Sequence, residues 1–320
     1  MKRKKKMSVS EMDTSLNMVE HKSVGDHIAD VIIYVVVALI ALACVIPMWH
    51  VLMISLSDGR QAMAYEGLMW KWLGDFNLKG YELIFQDASI ISGYANTIIY
   101  TVCATALGFV LAAITGYALS RDTKLKTPIS LILMSTMLFS GGMVPTYIVI
   151  RYLGWVGTRW ALIIPGCTNA MFMIMMMNAF NSVPHEMYEA ARIDGAGHFR
   201  TMWQVMLPQA MNLGFVIILN SVVMQWNSWL QASIYVTNKK DLWPLQLWIK
   251  QITADNENFL RSENPDYNRY LIQYAVIVAA TLPILLLFPF FQDSWKRALS
   301  PAVSRDRSIA TGVKIAQCEI

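Results

Sequence analysis

The sequence predicts an all-α integral membrane protein with six transmembrane helices. Of its 320 residues, 55% are hydrophobic and only 15% are charged, which is too apolar for an ordinary soluble domain. The apolar residues also occur in long runs rather than in periodic stripes. Because a helix needs about 20 apolar residues to cross the hydrocarbon core, runs of this kind predict membrane spans.

Six stretches are long and apolar enough to be spans. In chain order they are 29–56, 92–119, 129–150, 160–180, 211–232 and 271–292. The first is the clearest, since no charged side chain occurs from Val31 to Ser57. We therefore expect a six-span domain at 29–292, preceded by a basic segment at 1–28. A polar, Ser-containing tail at 293–320 follows, and its composition favours a mobile segment.

The distribution of lysine and arginine predicts the orientation of these spans. Residues 2–6 are all basic, so the N-terminus is expected in the cytoplasm. An even number of spans returns the C-terminus to the same side and makes the loop at 181–210 cytoplasmic. With this topology 16 of the 26 Lys and Arg residues are inside and 10 are outside. The loops at 57–91 and 233–270 are then external.

The loop at 181–210 contains the most specific motif of the chain. Its core is the run Glu189-Ala190-Ala191-Arg192-Ile193-Asp194-Gly195, and Val205-Met206-Leu207-Pro208 follows nine residues after the glycine. A match of seven residue types at fixed distances is rarer than roughly one in a million under average composition.

The residues of this motif predict a helix, a turn and a second helix. Ser182 is a candidate N-cap and Pro184 suits the first turn of a helix at about 184–194. Gly195 and Gly197 permit the turn, and a second helix is expected from Phe199 to Leu207, ending at Pro208.

Small and apolar side chains in the first helix indicate a docking surface. Ala190 and Ala191 let a partner approach the backbone, while Met187 and Tyr188 supply apolar contact area. An amphipathic loop lying on the membrane is the simpler alternative, but it does not explain the full spacing.

This spacing resembles the cytoplasmic "EAA" loop of ATP-binding-cassette importer permeases. Further stretches, including Asn96-Thr97, Gly142-Met143-Val144-Pro145 and Trp226-Asn227, are similar to the carbohydrate-uptake branch of that family. The likeness is strongest to the second membrane subunit of maltose and oligosaccharide importers. It covers about residues 25–292, and the chain departs from the pattern after Gln292.

The resemblance implies an importer-permease core whose cytoplasmic helix-turn-helix loop couples it to a separate ATPase. The residues that this implies for coupling are Met187, Tyr188, Glu189, Ala190, Ala191, Asp194, Gly195, Leu207 and Pro208. No GxxxxGK[ST] loop occurs in the chain, so ATP and Mg are expected on the partner ATPase, with no cofactor, metal or catalytic site here.

The implied partners are a second homologous permease subunit, two ATP-binding-cassette ATPase subunits and an extracytoplasmic solute-binding protein. The implied cargo is a sugar or oligosaccharide. The implied location is the bacterial cytoplasmic membrane, in contact with lipid and not with nucleic acid.

Polar side chains within the spans are candidates for the solute path. Amides can bond sugar hydroxyls and aromatic faces can stack on a pyranose, which singles out Asn169, Asn220, Gln225, Trp226 and Asn227. Hydrogen bonding between helices explains the amides equally well. An interfacial aromatic belt is the alternative for the tryptophan.

Aromatic residues in the external loops predict a docking surface for the binding protein. They are Trp70, Trp72, Phe76 and Tyr81 in one loop and Trp243, Trp248, Tyr267 and Tyr270 in the other. The alternative is that both loops only pack against another subunit.

Three other functions remain open at this point. An importer permease for a non-sugar solute would share the coupling loop. A gradient-driven secondary transporter or channel would need ionisable residues within the spans, and almost none occur after Asp30. A polytopic membrane enzyme would need clustered His, Asp, Glu or Cys, but the five histidines are scattered.

Overall fold

The computed structural model describes residues 24–259, 270–287 and 289, and all regular structure within these ranges is helical. The basic N-terminal residues, Tyr267, the last residues of the sixth predicted span and the polar tail lie outside the described residues.

The described residues form a series of helices. They are α1 Val24–Ser55, α2 Gly59–Ala64, α3 Lys79–Gln86, α4 Ala88–Ser120, α5 Lys126–Leu138, α6 Met143–Tyr152, α7 Trp160–Cys167, α8 Ala170–Asn181, α9 His185–Ile193, α10 His198–Arg200, α11 Leu207–Trp226, α12 Leu230–Tyr235, α13 Leu245–Phe259 and α14 Tyr270–Leu287. A π-helical segment, Thr201–Met206, joins α10 to α11.

Among the described residues, four continuous helical stretches are long and apolar enough to cross a membrane: α1, α4, α10 with α11, and α14. Two bent pairs, α5 with α6 and α7 with α8, reach the same criterion only as pairs. As far as they are described, the six predicted stretches therefore correspond to four continuous helices and two interrupted ones.

The third predicted span is not one helix. α5 and α6 meet at an angle of 115°. The bend follows Ser140-Gly141-Gly142, where Gly142 has a φ of 81°, a conformation that a helix cannot continue. Hydropathy predicted a continuous span here because it does not register a backbone break.

The fourth predicted span is interrupted at Thr168 and Asn169, and its two halves differ in direction by 41°. The Asn169 carboxamide oxygen accepts hydrogen bonds from the Met171 and Phe172 backbone N–H groups at 2.9 and 3.4 Å. Asn169 thus begins a new helix by capping it.

The fifth predicted span begins earlier and ends earlier than expected. Helical structure runs without a gap from His198 to Trp226, so the second helix of the loop at 181–210 is continuous with the span. The expected stretch up to residue 232 is instead divided between α11 and the short helix α12.

Helix α4 is the centre of the bundle and packs against α7, α8, α11 and α13. The approach to α8 is very close: a Cβ on Gly116 would lie 2.8 Å from the backbone nitrogen of Met177. A buried hydrogen bond of 3.1 Å between the Thr105 and Ser221 hydroxyls also joins α4 to α11. Small residues and interhelical hydrogen bonds of this kind are typical of helix contacts in membranes.

The N-terminal part of α4 is hydrogen-bonded to the loop that precedes α13. The Asn96 amide donates to the Asp241 and Trp243 carbonyl oxygens at 2.7 and 3.2 Å. Arg159 donates to the Asn96 carboxamide oxygen at 3.2 Å. The Leu245 backbone N–H donates to the Thr97 hydroxyl at 2.8 Å. Three of these contacts tie this loop to the central helix, and Arg159, just before α7, fixes the Asn96 side chain.

Candidate functional site

The motif glutamate and alanines lie on the short helix α9, which ends in a glycine turn. The Gly195 N–H donates to the Arg192 carbonyl and the Ala196 N–H donates to the Ala191 carbonyl, at 3.1 and 3.0 Å. This is the Schellman arrangement, and it requires the left-handed conformation that Gly195 adopts with a φ of 78°. The expected turn at Gly195 is confirmed.

The start of α9 differs from the expectation. Pro184 is the N-cap residue and no side chain caps the helix. The Ser182 hydroxyl donates to the Ala179 carbonyl at 2.7 Å, so it completes α8 instead of capping α9. Glu186 lies in the first turn and Arg192 in the last, where their charges suit the helix dipole.

The second arm contains a π-helical segment just before Pro208. The Leu207 N–H donates to the Met202 carbonyl, five residues back. Pro208 has no N–H, and its ring would crowd the Gln204 carbonyl in a regular helix, so the wider turn is a physical response to the proline. Leu207 is buried in the bundle, whereas Pro208 is exposed.

Helix α9 has one packed face and one exposed face. Ala191 is buried and Tyr188 is half-buried against the bundle. The exposed residues include Met187, Glu189, Ala190, Ile193 and Asp194, together with the polar His185, Glu186 and Arg192. Ile193 is 86% exposed, and Phe199 on the other arm is 72% exposed. Each arm of the elbow thus carries a large apolar side chain that this chain leaves uncovered.

The exposed face of α9 carries a weak contact between a histidine and a glutamate. His185 Nδ1 lies 3.1 Å from the Glu189 carboxylate, and both side chains are largely exposed to solvent. A pair this exposed contributes little to stability. The carboxylate of Glu189 is therefore available to a partner at small cost.

The structure adds residues to this site that the sequence analysis did not include. The Arg121 guanidinium carbon lies 4.4 Å from the Tyr188 ring centroid and 5.3 Å from that of Tyr117. The Tyr117 hydroxyl lies 3.3 Å from His198 Nδ1. The only sequence signal was an aromatic residue and an arginine four apart at the end of the second span, which is too common a pattern to stand out.

Among the solute-path candidates, Asn169 and Asn220 are half-buried. Asn169 lies at the break between α7 and α8, where its oxygen is used in capping. The Asn220 amide donates to the Val216 carbonyl of its own helix at 2.8 Å.

The other three candidates lie at the end of α11 and have different surroundings. The Gln225 amide donates to the Gly166 carbonyl of α7 at 2.7 Å. Trp226 is buried and its indole N–H donates to the Ala280 carbonyl of α14 at 3.0 Å. Asn227 is exposed and bonds the Val223 carbonyl. Gln225 and Trp226 therefore make helix-to-helix contacts.

The external aromatic residues divide into two groups. Trp70, Trp72 and Phe76 are exposed. Trp243 is buried and its ring contacts Trp248 at a centroid distance of 4.8 Å. Tyr81 bonds the Ser55 hydroxyl, and Tyr270 bonds the Tyr274 hydroxyl. The exposed aromatic surface thus belongs to the loop at 57–91, while the described aromatics of the loop at 233–270 pack internally.

An all-helical bundle with several helices of membrane-spanning length and an exposed helical elbow defines the class: a polytopic membrane protein. The chain belongs to the family of binding-protein-dependent transport system inner membrane components, whose model matches residues 15–305. It is thus a multi-pass inner membrane component.

Individual relatives agree with this family. The chain is 32% identical over 275 residues to the polygalacturonan/rhamnogalacturonan transport system permease protein YtcP of Bacillus subtilis, covering 84% of this chain and 95% of that protein. It is 30% identical to the diacetylchitobiose uptake system permease protein NgcG of Streptomyces coelicolor, covering 78% and 80%.

A solved structure is also similar. A chain of a bacterial ABC transporter involved in the import of the acidic polysaccharide alginate superimposes with a TM-score of 0.75 at 27% identity. The match covers 85% of this chain and 98% of that one.

Proposed function

We propose that this chain is the permease subunit of an ATP-driven importer of sugars or oligosaccharides. A binding protein delivers the solute, and alternating access driven by a separate ATPase moves it inward. The observation that carries the proposal is the exposed face of α9. Its small alanine side chain lets a partner protein approach closely, and its exposed apolar side chains give that partner contact area through which it can push. The sugar class rests on the carbohydrate transport named for the relatives.

The energy for transport comes from another polypeptide. ATP and Mg bind to the partner ATPase subunits, and this chain acts without a catalytic site of its own. Its coupling residues are those of the elbow, namely Met187, Tyr188, Glu189, Ala190, Ala191, Asp194, Gly195, Leu207 and Pro208. A gradient-driven carrier would have no use for a docking elbow, so we do not favour that alternative.

A second permease subunit completes the membrane part. In the most apolar window of α1, none of the residues is buried within this chain. A helix that makes so few contacts with its own bundle suits a position against a neighbouring subunit. We place both chain termini and the elbow in the cytoplasm, as the lysine and arginine distribution favours.

The solute path runs beside the break between α7 and α8. Non-helical backbone at membrane depth is tolerated where protein buries it or where it lines a water-filled cavity. Asn169 at this break and Asn220 on α11 are the residues that we propose to reach the path. Gln225, Trp226 and Asn227 are weaker candidates, because the first two are occupied between helices and the third lies at the end of α11.

The double substitution Glu189→Lys with Gly195→Asp tests the coupling role. It reverses the charge on the exposed face and strains the turn, so we expect an inserted protein whose uptake no longer follows ATP hydrolysis. Gly154→Asp is the matched control, since Gly154 has a similar φ of 71° in a turn after α6. Uptake at the wild-type rate in the double variant would contradict the proposal.

A further inference from the structure

The cytoplasmic end of α4 is joined to α9 by one arginine between two aromatic rings. Arg121 is the residue that ends α4, and its guanidinium lies over the rings of Tyr188 on α9 and Tyr117 on α4. Its Nε and Nη2 atoms both lie 3.1 Å from the Ser120 hydroxyl oxygen. We name Tyr117, Arg121 and Tyr188 the arginine clamp.

The clamp has a fixed geometry on the α4 side. The Ser120 hydroxyl donates to the Tyr117 carbonyl at 2.8 Å and accepts from Arg121, so the guanidinium is anchored to the last turn of α4. The Tyr117 ring meets the Phe180 ring of α8 edge to face, at a centroid distance of 5.8 Å. In the described part of the chain, no carboxylate forms an ion pair with Arg121. The rings and Ser120 therefore determine its orientation.

The arginine clamp joins α9, the helix that moves in the proposed function, to the rest of the bundle. Tyr188 lies on the packed face of α9, next to the exposed residues Glu189 and Ala190. Helix α4, in turn, packs against α7, α8 and α11. A displacement of α9 that reaches Tyr188 is thus passed to the helix with the most neighbours.

We infer that Arg121 is a positioning residue that transmits the movement of α9 to α4, and this inference rests on the proposed function. The role suits arginine specifically. A planar guanidinium can stack on two rings while its edge donates to a hydroxyl, whereas a lysine ammonium is a compact charge without a stacking face.

The experiment measures solute molecules imported per ATP hydrolysed, in proteoliposomes that contain the whole transporter. For Arg121→Met we expect this ratio to fall about tenfold, within the usual range of coupling between sites. The KM for the loaded binding protein should stay within about twofold, because the clamp lies on the opposite side of the membrane from its docking face. Arg121→Lys should recover part of the ratio by retaining the charge.

Two comparisons separate transmission from simple loss of structure. Lys124→Met removes an exposed cation three residues further along and should leave the ratio unchanged. Tyr188→Phe keeps the ring face and should retain far more coupling than Tyr188→Leu. If Arg121→Met does not fold, the two Tyr188 variants decide the question.

The outcomes are distinct. Suppose that the wild-type transporter hydrolyses ATP and imports solute. If Arg121→Met and Tyr188→Leu then import as much solute per ATP as wild type, the inferred role of the arginine clamp is wrong. If wild-type uptake does not depend on ATP at all, the proposed function itself fails.

Discussion

Single residues decide where the elbow turns and how the external loop is held. Gly195 ends α9 because it alone adopts the left-handed conformation there, whereas Gly197 has an ordinary φ of −67°. Both glycines were predicted to permit the turn, and only the first needs to be glycine. Local backbone rules were enough for Gly195, but the partners of Asn96 are about 145 residues away and no local rule identifies them.

Asn96→Leu should destabilise the protein by about 1–3 kcal/mol, because it removes the donor to the Asp241 carbonyl and leaves the buried contact with the Trp243 carbonyl unmade. The midpoint of thermal unfolding in detergent measures this loss. Asn227→Leu is the control, since Asn227 is exposed and bonds only its own helix. An unchanged midpoint for Asn96→Leu would show that the loop is held by other contacts.

At the scale of elements, apolar length predicted where the chain crosses the membrane but not how each crossing is built. The break at Gly142 depends on a positive φ, and the break at Asn169 depends on a side-chain cap. Hydropathy detects neither feature. The π-helical segment before Pro208 was likewise absent from the expectation, because the proline was interpreted as a boundary between helices. Pro208 instead lies inside a continuous helical stretch.

The contact between α4 and α8 makes a prediction at this scale. Gly116→Ala would place a methyl group 2.8 Å from the Met177 backbone nitrogen, and backbone cannot move aside cheaply. We expect a loss of about 1–3 kcal/mol, as for overpacked cores.

Gly141→Ala is the matched control for this measurement. The nearest atom to a Cβ at Gly141 is 3.9 Å away, and its φ is not in the left-handed region. Thermal unfolding of the two variants should differ clearly, and equal midpoints would mean that α4 and α8 are not packed this closely.

At the scale of the whole molecule, the chain is one part of a larger assembly. Its family could be predicted from the spacing of one cytoplasmic loop, and the family match over residues 15–305 confirms it. The exposure of α1 could not be predicted, since an apolar helix buried in its own bundle and one facing a neighbour have the same composition. Only the arrangement of the other helices distinguishes them.

A photoreactive side chain in place of Leu39, which is exposed on α1, tests the contact with a second subunit. We expect it to form an adduct with another permease polypeptide in membranes that contain the full transporter. Membranes that lack the second permease are the control and should give no protein adduct. Adducts with lipid alone in the full transporter would argue that α1 faces only the bilayer.

The most direct test of the account is uptake by purified protein in proteoliposomes, with the ATPase subunits present or omitted. Because force is proposed to reach α9 from a separate ATPase, we expect solute uptake only when the ATPase subunits and ATP are both supplied. Uptake at a comparable rate without the ATPase subunits would contradict the account.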